Sequence, residues 1–215
     1  MINILKKNKT CLVIFLLSLI LAAAAYPFLE DSIPIHWNAS GEIDGYGNKL
    51  WIFMEPAFIL LLTILMEITR KVDPKQSSYT KFEGSFDGLK TAIALLLLAV
   101  QILTIAVCFG AKVQIATVLP LLVGILFCYI GNMMPKIKHN YFVGIKTPWT
   151  LNDPEVWFRT HRFAGKIWFV GGIFIAFTSF LPGAAKFAAI LGAAIALAIV
   201  PMIYSYFISK KEKDS

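Results

Sequence analysis

Six long runs of apolar residues divide the chain, and shorter segments rich in charged residues or glycine separate them. The runs cover residues 11–29, 50–69, 89–110, 115–134, 167–182 and 186–208. Because a helix needs about 20 apolar residues to cross a hydrocarbon core about 30 Å thick, runs of this length can span a bilayer. The pattern therefore predicts an all-α polytopic membrane protein with six transmembrane helices.

The composition fits a lipid environment better than an aqueous one. Hydrophobic residues make up 58% of the chain and charged residues only 15%. An ordinary soluble domain is about half apolar and about a quarter charged. The net charge of +7 could indicate nucleic acid, but the cations lie between the apolar runs and do not build one basic face. We therefore expect membrane lipids as a partner, and no direct contact with nucleic acid.

The distribution of lysine and arginine predicts the side of the membrane on which each loop lies. All but three of the 20 cations lie at the chain ends and in the segments near 70–90 and 135–166; the exceptions are Lys49, Lys112 and Lys186. Because cytoplasmic loops carry the excess of cations, both termini of this cell-membrane protein are expected in the cytoplasm. The first run follows several lysines and ends in LAAAAYP, so a cleaved signal peptide is an alternative to a retained anchor.

Polar residues within the apolar runs are few, and Glu55, Glu67 and Gln101 stand out among them. Ionisable residues inside a membrane are costly and often mark an ion or proton path. Each glutamate, however, lies about one turn from an end of its run, where a long side chain can reach the interface. We interpret both as interfacial anchors, with a small transporter as the alternative.

The loop at residues 30–49, expected outside the cell, is rich in turn-forming residues. Pro34 favours an extended entry, and the glycines, asparagines and aspartates favour tight turns closed by side-chain hydrogen bonds. His36 and Trp37 form an amphipathic pair suited to the headgroup level. The pattern predicts an ordered outer loop, which serves either as a structured cap or as a ligand-recognition surface.

The segment at residues 135–166, expected in the cytoplasm, is much longer than an ordinary connection. Residues 141–146 have an extended composition and precede a Thr-Pro turn. Asp153 at the N-cap and Pro154 at the first helical position predict the start of a helix.

At 100° per residue, this helix has two different faces. Trp157 and His161 lie on one face, and Arg159, Arg162 and Lys166 lie on the opposite one. The pattern predicts a cytoplasmic amphipathic interfacial helix before the fifth span, with tryptophan in the interface and cations toward water or anionic headgroups. Both a lipid anchor and a protein docking surface fit this arrangement.

The sequence offers no motif for catalysis or for a resident metal ion. It lacks a G-x-S-x-G turn, an H-E-x-x-H helix and a phosphate-binding Gly-rich loop. The cysteines are odd in number and widely spaced, and the histidines show no short metal spacing. We therefore expect no enzyme, no metal site and no cofactor. The cysteines are Cys11, Cys108 and Cys128, and the histidines are His36, His139 and His161.

Two groups of residues, one in each long loop, form motifs. The outer group contains Pro34, His36, Trp37, Asn38, Gly41, Asp44, Gly45 and Lys49. The inner group contains Gly131, Asn132, Pro135, Lys136, Asn140, Phe142, Gly144, Ile145, the run 147–151, Val156, Trp157, Thr160, His161, Gly165 and Gly171. With these motifs in this order between these spans, the chain resembles the SdpI family of bacterial toxin-immunity membrane proteins. Family members often carry arginine where this chain has Lys146, which keeps the charge but not a bidentate contact.

The resemblance implies a receptor that protects a producing cell from its own secreted killing peptide. It also implies that the toxin-occupied form holds a cytoplasmic transcriptional repressor at the membrane. We expect an N-terminal two-span unit at residues 1–75 with the outer loop, and a C-terminal four-span unit at residues 76–215 with the cytoplasmic loop 135–166. A transporter that exports toxic compounds and a structural envelope protein without a specific ligand are the alternatives.

This hypothesis assigns candidate binding residues on both sides of the membrane. The toxin peptide is expected to contact the outer residues His36, Trp37, Asn38 and Asp44. The signalling partner is expected to contact the cytoplasmic residues Lys146, Trp149, Trp157, Arg159, His161 and Arg162.

Overall fold

The structure, a computed structural model, describes residues 8–213. Its α-helices are α1 (Lys9–Ala25), α2 (Met54–Val72), α3 (Glu83–Cys108), α4 (Ile115–Met133), α5 (Pro148–Asn152), α6 (Pro154–Phe177) and α7 (Gly183–Lys213). Its strands are β1 (Ser32–Trp37) and β2 (Ile43–Asn48). Short 3-10 turns lie at Tyr26–Phe28, Lys49–Phe53, Gln76–Lys81, Met134–Lys136 and Thr178–Phe180. Within these residues, six helices are long and apolar enough to cross a membrane, which confirms the prediction of six spans.

The six long helices run between two faces of the molecule. The hairpin face carries β1, β2 and the starts of α4 and α7, which meet where the Lys186 Nζ donates to the Ala116 carbonyl at 2.6 Å. The basic face carries the segments 73–82 and 134–153 and both described ends of the chain. The excess of lysine and arginine on the basic face predicts that it faces the cytoplasm.

The segment between α1 and α2 forms a two-stranded antiparallel hairpin, so the all-α prediction holds for the spans but not for this segment. Ser32 pairs with Asn48 and Ile33 with Gly47, whereas the register shifts around His36. The strands escaped prediction because β1 contains a proline, which cannot donate to a ladder, and β2 contains two glycines. Proline and glycine at these positions predict a loop, and only the pairing between the two segments shows that they are strands.

The fifth span begins at Pro154 rather than at residue 167. Asp153 caps the helix as predicted, because its Oδ1 accepts from the backbone N–H groups of Glu155 at 2.7 Å and Val156 at 3.3 Å. The amphipathic segment then continues without a break into the apolar segment as the single helix α6. The prediction of a separate interfacial helix is therefore wrong.

The helices pack as two groups of three. In the first group α1, α2 and α3 contact one another, and in the second α6 contacts both α4 and α7. The α3 and α4 helices meet along a boundary that we call the seam. The closest crossing joins α4 to α6, where a Cβ atom on Gly131 would overlap the Phe169 amide nitrogen. The division at residues 1–75 and 76–215 stays a prediction.

Clusters of buried apolar side chains lie beneath both faces. One lies at the basic face and contains Tyr79, Phe82, Phe86, Met133, Met134, Ile137, Trp157 and Ala164. Another lies beneath the hairpin and contains Ala22, Ala25, Leu29, Ile33 and Ile52. Burial of these side chains fixes the segments that carry the candidate residues.

Candidate functional site

Asn38 shapes the tip of the hairpin. Its side-chain oxygen accepts hydrogen bonds from the backbone N–H groups of Ser40 at 2.9 Å and Glu42 at 3.0 Å, and its amide donates to the Glu42 carboxylate at 3.0 Å. Gly41 completes the turn with a φ of 83°, in the left-handed region that favours glycine. Asn38 thus uses most of its hydrogen-bonding capacity within the loop.

His36 and Asp44 face each other across the hairpin. The His36 Nδ1 and the Asp44 Oδ1 lie 2.5 Å apart, and the side chains are 70% and 43% exposed. Because an ion pair open to water adds little stability, this pair is not needed to hold the hairpin together. It presents an imidazole and a carboxylate to the surrounding medium.

Trp37 lies beside a cavity of about 110 Å³ between the hairpin and the helices α2 and α3. Trp51, Glu55 and Thr104 line the same cavity. The Glu55 Oε2 is buried there without a hydrogen-bond partner among residues 8–213. Of the outer candidates, Trp37 therefore lines a small cavity with a buried polar atom in its wall, whereas His36, Asn38 and Asp44 do not line it.

Trp157 lies inside the basic face rather than at a lipid interface. It is 2% exposed, and its indole Nε1 donates to the Ile137 carbonyl at 3.0 Å. Its ring stacks on that of His161, with the ring centroids 4.0 Å apart. Trp157 therefore joins α6 to the loop at residues 137–147 and has no surface for a partner to contact.

His161 is buried beside Trp157 and holds the same loop. Its Nε2 accepts from the Ile145 N–H at 3.0 Å, while its Nδ1 lies 2.8 Å from the Trp157 carbonyl. The ring is neutral, because one nitrogen accepts while the other donates. Gly144 has a φ of 122° and passes so close that a Cβ atom there would overlap the Nε2. This glycine is required by both the backbone conformation and the packing.

Side-chain hydrogen bonds give the loop its shape. The Asn140 side-chain oxygen accepts from two backbone N–H groups of the turn that follows it. Thr147 and Thr150 cap the short helix α5 reciprocally, so the expected Thr-Pro turn is a helix start. The Thr147 Oγ1 also lies 3.0 Å from the Ser205 Oγ of α7. These motif residues therefore build the scaffold of the basic face.

Asp73 and Tyr79 were not predicted, yet they connect the end of α2 to this loop. The Tyr79 hydroxyl lies 3.0 Å from the Asp73 Oδ2 and 3.3 Å from the Asn140 Oδ1. The Tyr141 N–H donates to the same Asp73 oxygen at 2.9 Å. Burial and the Asp73 carboxylate raise the pKa of Tyr79, so its hydroxyl remains a donor. No local pattern indicates contacts between segments this far apart in the sequence.

The cations of α6 lie on the surface. Arg159, Arg162 and Lys166 line an open groove of about 410 Å³ between α6 and α7, which we call the α6–α7 groove. Phe163 stacks on Tyr204 in its wall, with the ring centroids 4.1 Å apart. The predicted separation of cations from tryptophan is therefore confirmed, although the tryptophan side faces protein.

Lys146 and Trp149 lie outside the α6–α7 groove. Lys146 is exposed, and Trp149 packs against Tyr206 of α7 with the ring centroids 5.0 Å apart. The inner candidates thus divide into surface residues and the buried pair of Trp157 and His161.

The prediction that Glu67 is an interfacial anchor is wrong. The Glu67 Oε1 lies 2.5 Å from the Lys90 Nζ, and the side chains are only 3% and 1% exposed. The Asp87 Oδ1 lies 2.8 Å from the same nitrogen, and the Asn8 side-chain oxygen also accepts from it. A buried charge requires such partners. Lys90 lies next to the loop cations in the sequence, so the residue pattern does not reveal its pairing with Glu67.

Gln101 connects the first three spans. Its side-chain oxygen accepts from the Ser18 hydroxyl at 2.5 Å, and its amide donates to the carbonyls of Ser18 at 3.1 Å and Ile52 at 3.2 Å. An amide that is fully paired inside a helix bundle holds helices together. Gln101 therefore has a structural role in this fold.

The histidines and cysteines do not form a shared site. His36 lies on the hairpin face, whereas His139 and His161 lie on the basic face. The three cysteines are free thiols. Within residues 8–213, no group of three or more His, Cys, Asp or Glu side chains is arranged to hold a metal ion.

Six apolar helices joined by a hairpin on one face and an ordered basic loop on the other define a multi-pass membrane protein. Residues 136–205 match the model of the SdpI/YfhL protein family, and residues 13–60 match a domain of unknown function (DUF1648). The chain is similar to the Immunity protein SdpI of Bacillus subtilis (strain 168), with 28% identity over 211 residues, 98% of this chain and 100% of that protein. No solved structure matches the chain. The resemblance to the SdpI family is confirmed.

Proposed function

We propose that the protein is a membrane immunity protein that protects the cell from a secreted antimicrobial peptide. The similarity to an immunity protein over 98% of the chain carries this proposal. In this arrangement the hairpin face lies outside the cell, both termini lie in the cytoplasm, and the peptide meets the hairpin first. The excess of lysine and arginine on the basic face supports this orientation.

The hairpin face has the mixed chemistry that an amphipathic peptide requires. Exposed apolar side chains lie on and beside the strands: Ile35, Tyr46, Leu50 and Trp51. His36 and Asp44 supply polar groups next to them, while Asn38 supports the turn. Burial of one large apolar peptide side chain against this surface would contribute about 1.5–3 kcal/mol. We therefore assign peptide binding to this surface and to the cavity beside Trp37.

On the basic face, we assign the partner surface to the α6–α7 groove together with Lys146 and Trp149. The guanidinium groups of Arg159 and Arg162 suit the carboxylates of an acidic protein segment. We name a cytoplasmic transcriptional repressor, held at the membrane, as this partner. Trp157 and His161 contribute by positioning the loop at residues 137–147, because both are buried.

A line of contacts joins the two faces. The Ile52 carbonyl, just after the hairpin, accepts from Gln101 of α3. The helix α2 then runs to Asp73, whose carboxylate accepts from Tyr79 and from the Tyr141 N–H. Peptide binding that shifts α2 would therefore move an anchor of the loop at residues 137–147. A coupling free energy of about 1–3 kcal/mol between the two faces suffices for regulation.

The test measures survival under candidate secreted peptides in cells that carry the full chain, a variant or no copy. Trp37→Ala is expected to lower survival while the amount of protein in the membrane is unchanged. Lys112→Gln, which changes the hairpin face outside the hairpin, is the control and should protect as well as the parent. Equal killing with and without the protein, across all candidate peptides, would contradict immunity.

A second measurement separates protection from signalling. Arg162→Gln is expected to leave survival unchanged when the protein is expressed from an independent promoter, but to abolish peptide-dependent release of a repressed reporter. Lys71→Gln, an exposed cation at the end of α2, is the matched charge control. A reporter response that is identical in Arg162→Gln and the parent would remove the α6–α7 groove from signalling.

A small exporter of toxic compounds is the second candidate function. The buried Glu67–Lys90 pair and the unpartnered Glu55 oxygen favour it, since ionisable groups at membrane depth often serve transport. Export predicts that Glu67→Gln abolishes protection at an unchanged amount of membrane protein. An envelope protein without a specific ligand predicts instead that Trp157→Ala and Arg159→Ala only lower abundance.

A further inference from the structure

A cavity of about 690 Å³ lies at the basic-face end of the seam, apart from the candidate sites described above. Three lysines line it: Lys81, Lys136 and Lys138. All three are exposed, and none of their side-chain ammonium groups has an ion pair or hydrogen bond to another residue in the range 8–213. Their charges are therefore available to a ligand.

The remaining lining of the cavity keeps this positive character. Glu83 is the acidic residue in the wall, and its carboxylate is engaged by the Arg70 Nη2 at 2.9 Å. The first turn of α3 borders the cavity at Gly84 and Ser85, and the positive end of a helix favours anions. Asn132 adds a neutral polar group. The cavity thus suits a ligand with a negative charge.

An apolar groove continues from this cavity along the seam toward the membrane centre. It has a volume of about 220 Å³, and Leu95 and Ala99 of α3 and Ile125 of α4 lie in its wall. Tyr129 lines both the groove and the lysine cavity, so the two spaces adjoin. Together they have a charged end at the basic face and an apolar end inside the spans.

We propose that the seam binds one anionic phospholipid. Its headgroup phosphate lies among Lys81, Lys136 and Lys138, and one acyl chain lies along the apolar groove past Tyr129. An acidic protein segment would also complement the lysines, but it could not fill a groove within the spans without burying backbone polar groups. The bound lipid lies where the two groups of helices meet, along the boundary between α3 and α4.

The experiment uses the full chain, purified in detergent, and native mass spectrometry. Dioleoyl phosphatidylglycerol is titrated against dioleoyl phosphatidylcholine, so that the acyl chains are the same and only the headgroup charge differs. One bound phosphatidylglycerol is expected to persist at collision energies that remove phosphatidylcholine. The triple variant Lys81→Gln, Lys136→Gln, Lys138→Gln is expected to lower its retention about fivefold or more.

The matched control changes three cations elsewhere on the basic face: Lys146→Gln, Arg162→Gln and Lys166→Gln. It has the same net charge as the seam variant and should retain the lipid as the parent does. Equal losses in both variants would show nonspecific attraction to a basic surface and would overturn the proposal. Equal retention of the two lipids by the parent would overturn it as well.

Two further measurements separate the headgroup from the acyl chain. Ala99→Trp fills the groove without changing charge, and it is expected to lower phosphatidylglycerol retention while the unfolding temperature in detergent stays near that of the parent. Excess glycerol phosphate, which has the headgroup phosphate but no acyl chain, should displace little lipid, and so should an excess of an acidic peptide. Unchanged retention in Ala99→Trp, or complete displacement by glycerol phosphate or by an acidic peptide, would contradict a lipid site in the seam.

Discussion

The hairpin face and the basic face each contain a histidine and a tryptophan from a motif, but the two pairs lie in opposite environments. His36 is largely exposed and Trp37 borders an open cavity, whereas Trp157 and His161 are 2% and 1% exposed. The same residue types therefore form a surface on one face and a scaffold on the other. Membership of a motif shows that a residue matters to the fold or the function, but burial decides in which way.

The largest difference between the faces is expected for their tryptophans. Trp157→Ala should lower the free energy of unfolding by about 3–5 kcal/mol, because it leaves a cavity and an unpaired Ile137 carbonyl. Trp37→Ala should lower it by less than half as much. Thermal unfolding of both variants in the same detergent measures this, and equal destabilisation would remove the distinction between surface and scaffold.

The charges offer the second comparison. Lys90→Met should destabilise the protein by about 3–5 kcal/mol, because it leaves the Glu67 carboxylate buried without its partner. Adding Glu67→Leu should recover most of that loss. Lys49→Met is the control on the hairpin face: its partner Asp31 is 93% exposed, so the loss of stability should be much smaller than in Lys90→Met. Failure of the double variant to recover stability would show that Glu67 and Lys90 are not coupled.

Two glycines with positive φ sharpen the comparison further. Gly144→Ala should cost about 3 kcal/mol, since the new methyl group is strained by a φ of 122° and also overlaps His161. Gly110→Ala, at a φ of 83° on the hairpin face with open space around it, should cost about 1 kcal/mol. Unfolding midpoints of the two variants check the order, and a larger loss at Gly110 would contradict the packing of the loop at residues 137–147.

The smallest effect is a pH dependence at His139 on the basic face. Burial and the Lys75 ammonium, 2.8 Å from its Nδ1, lower the pKa of His139 below its ordinary value of 6.5. The unfolded chain therefore binds a proton at higher pH than the folded chain, so this stabilisation is complete above pH 6.5 and declines as the pH falls through the lower pKa. Unfolding temperatures between about pH 7.5 and about pH 5 should fall less in His139→Gln than in the parent. Equal decreases of the unfolding temperature in His139→Gln and in the parent would contradict this role of His139.

Part of the candidate site was predictable because its signals are local. The Asp153 cap follows from the order Asp-Pro-Glu, and the separation of cations from Trp157 follows from helical periodicity. Periodicity shows that a helix has two unlike faces, but it does not show whether the aromatic face meets lipid or protein. That is why Trp157 and His161 were expected at an interface and lie instead against the loop at residues 137–147.

The sequence by itself determined the number of spans, the excess of lysine and arginine on one face and the resemblance to the SdpI family. The spans depend on the free energy of transferring apolar segments into lipid, and the placement of the cations depends on the composition of single loops. The resemblance depends on motifs that each lie within a few dozen residues. The tertiary structure alone decided the hairpin pairing, the continuity of α6 and the burial of the Glu67–Lys90 pair. These features depend on contacts between distant parts of the chain, and the energy of such a contact exists only when both partners are in place.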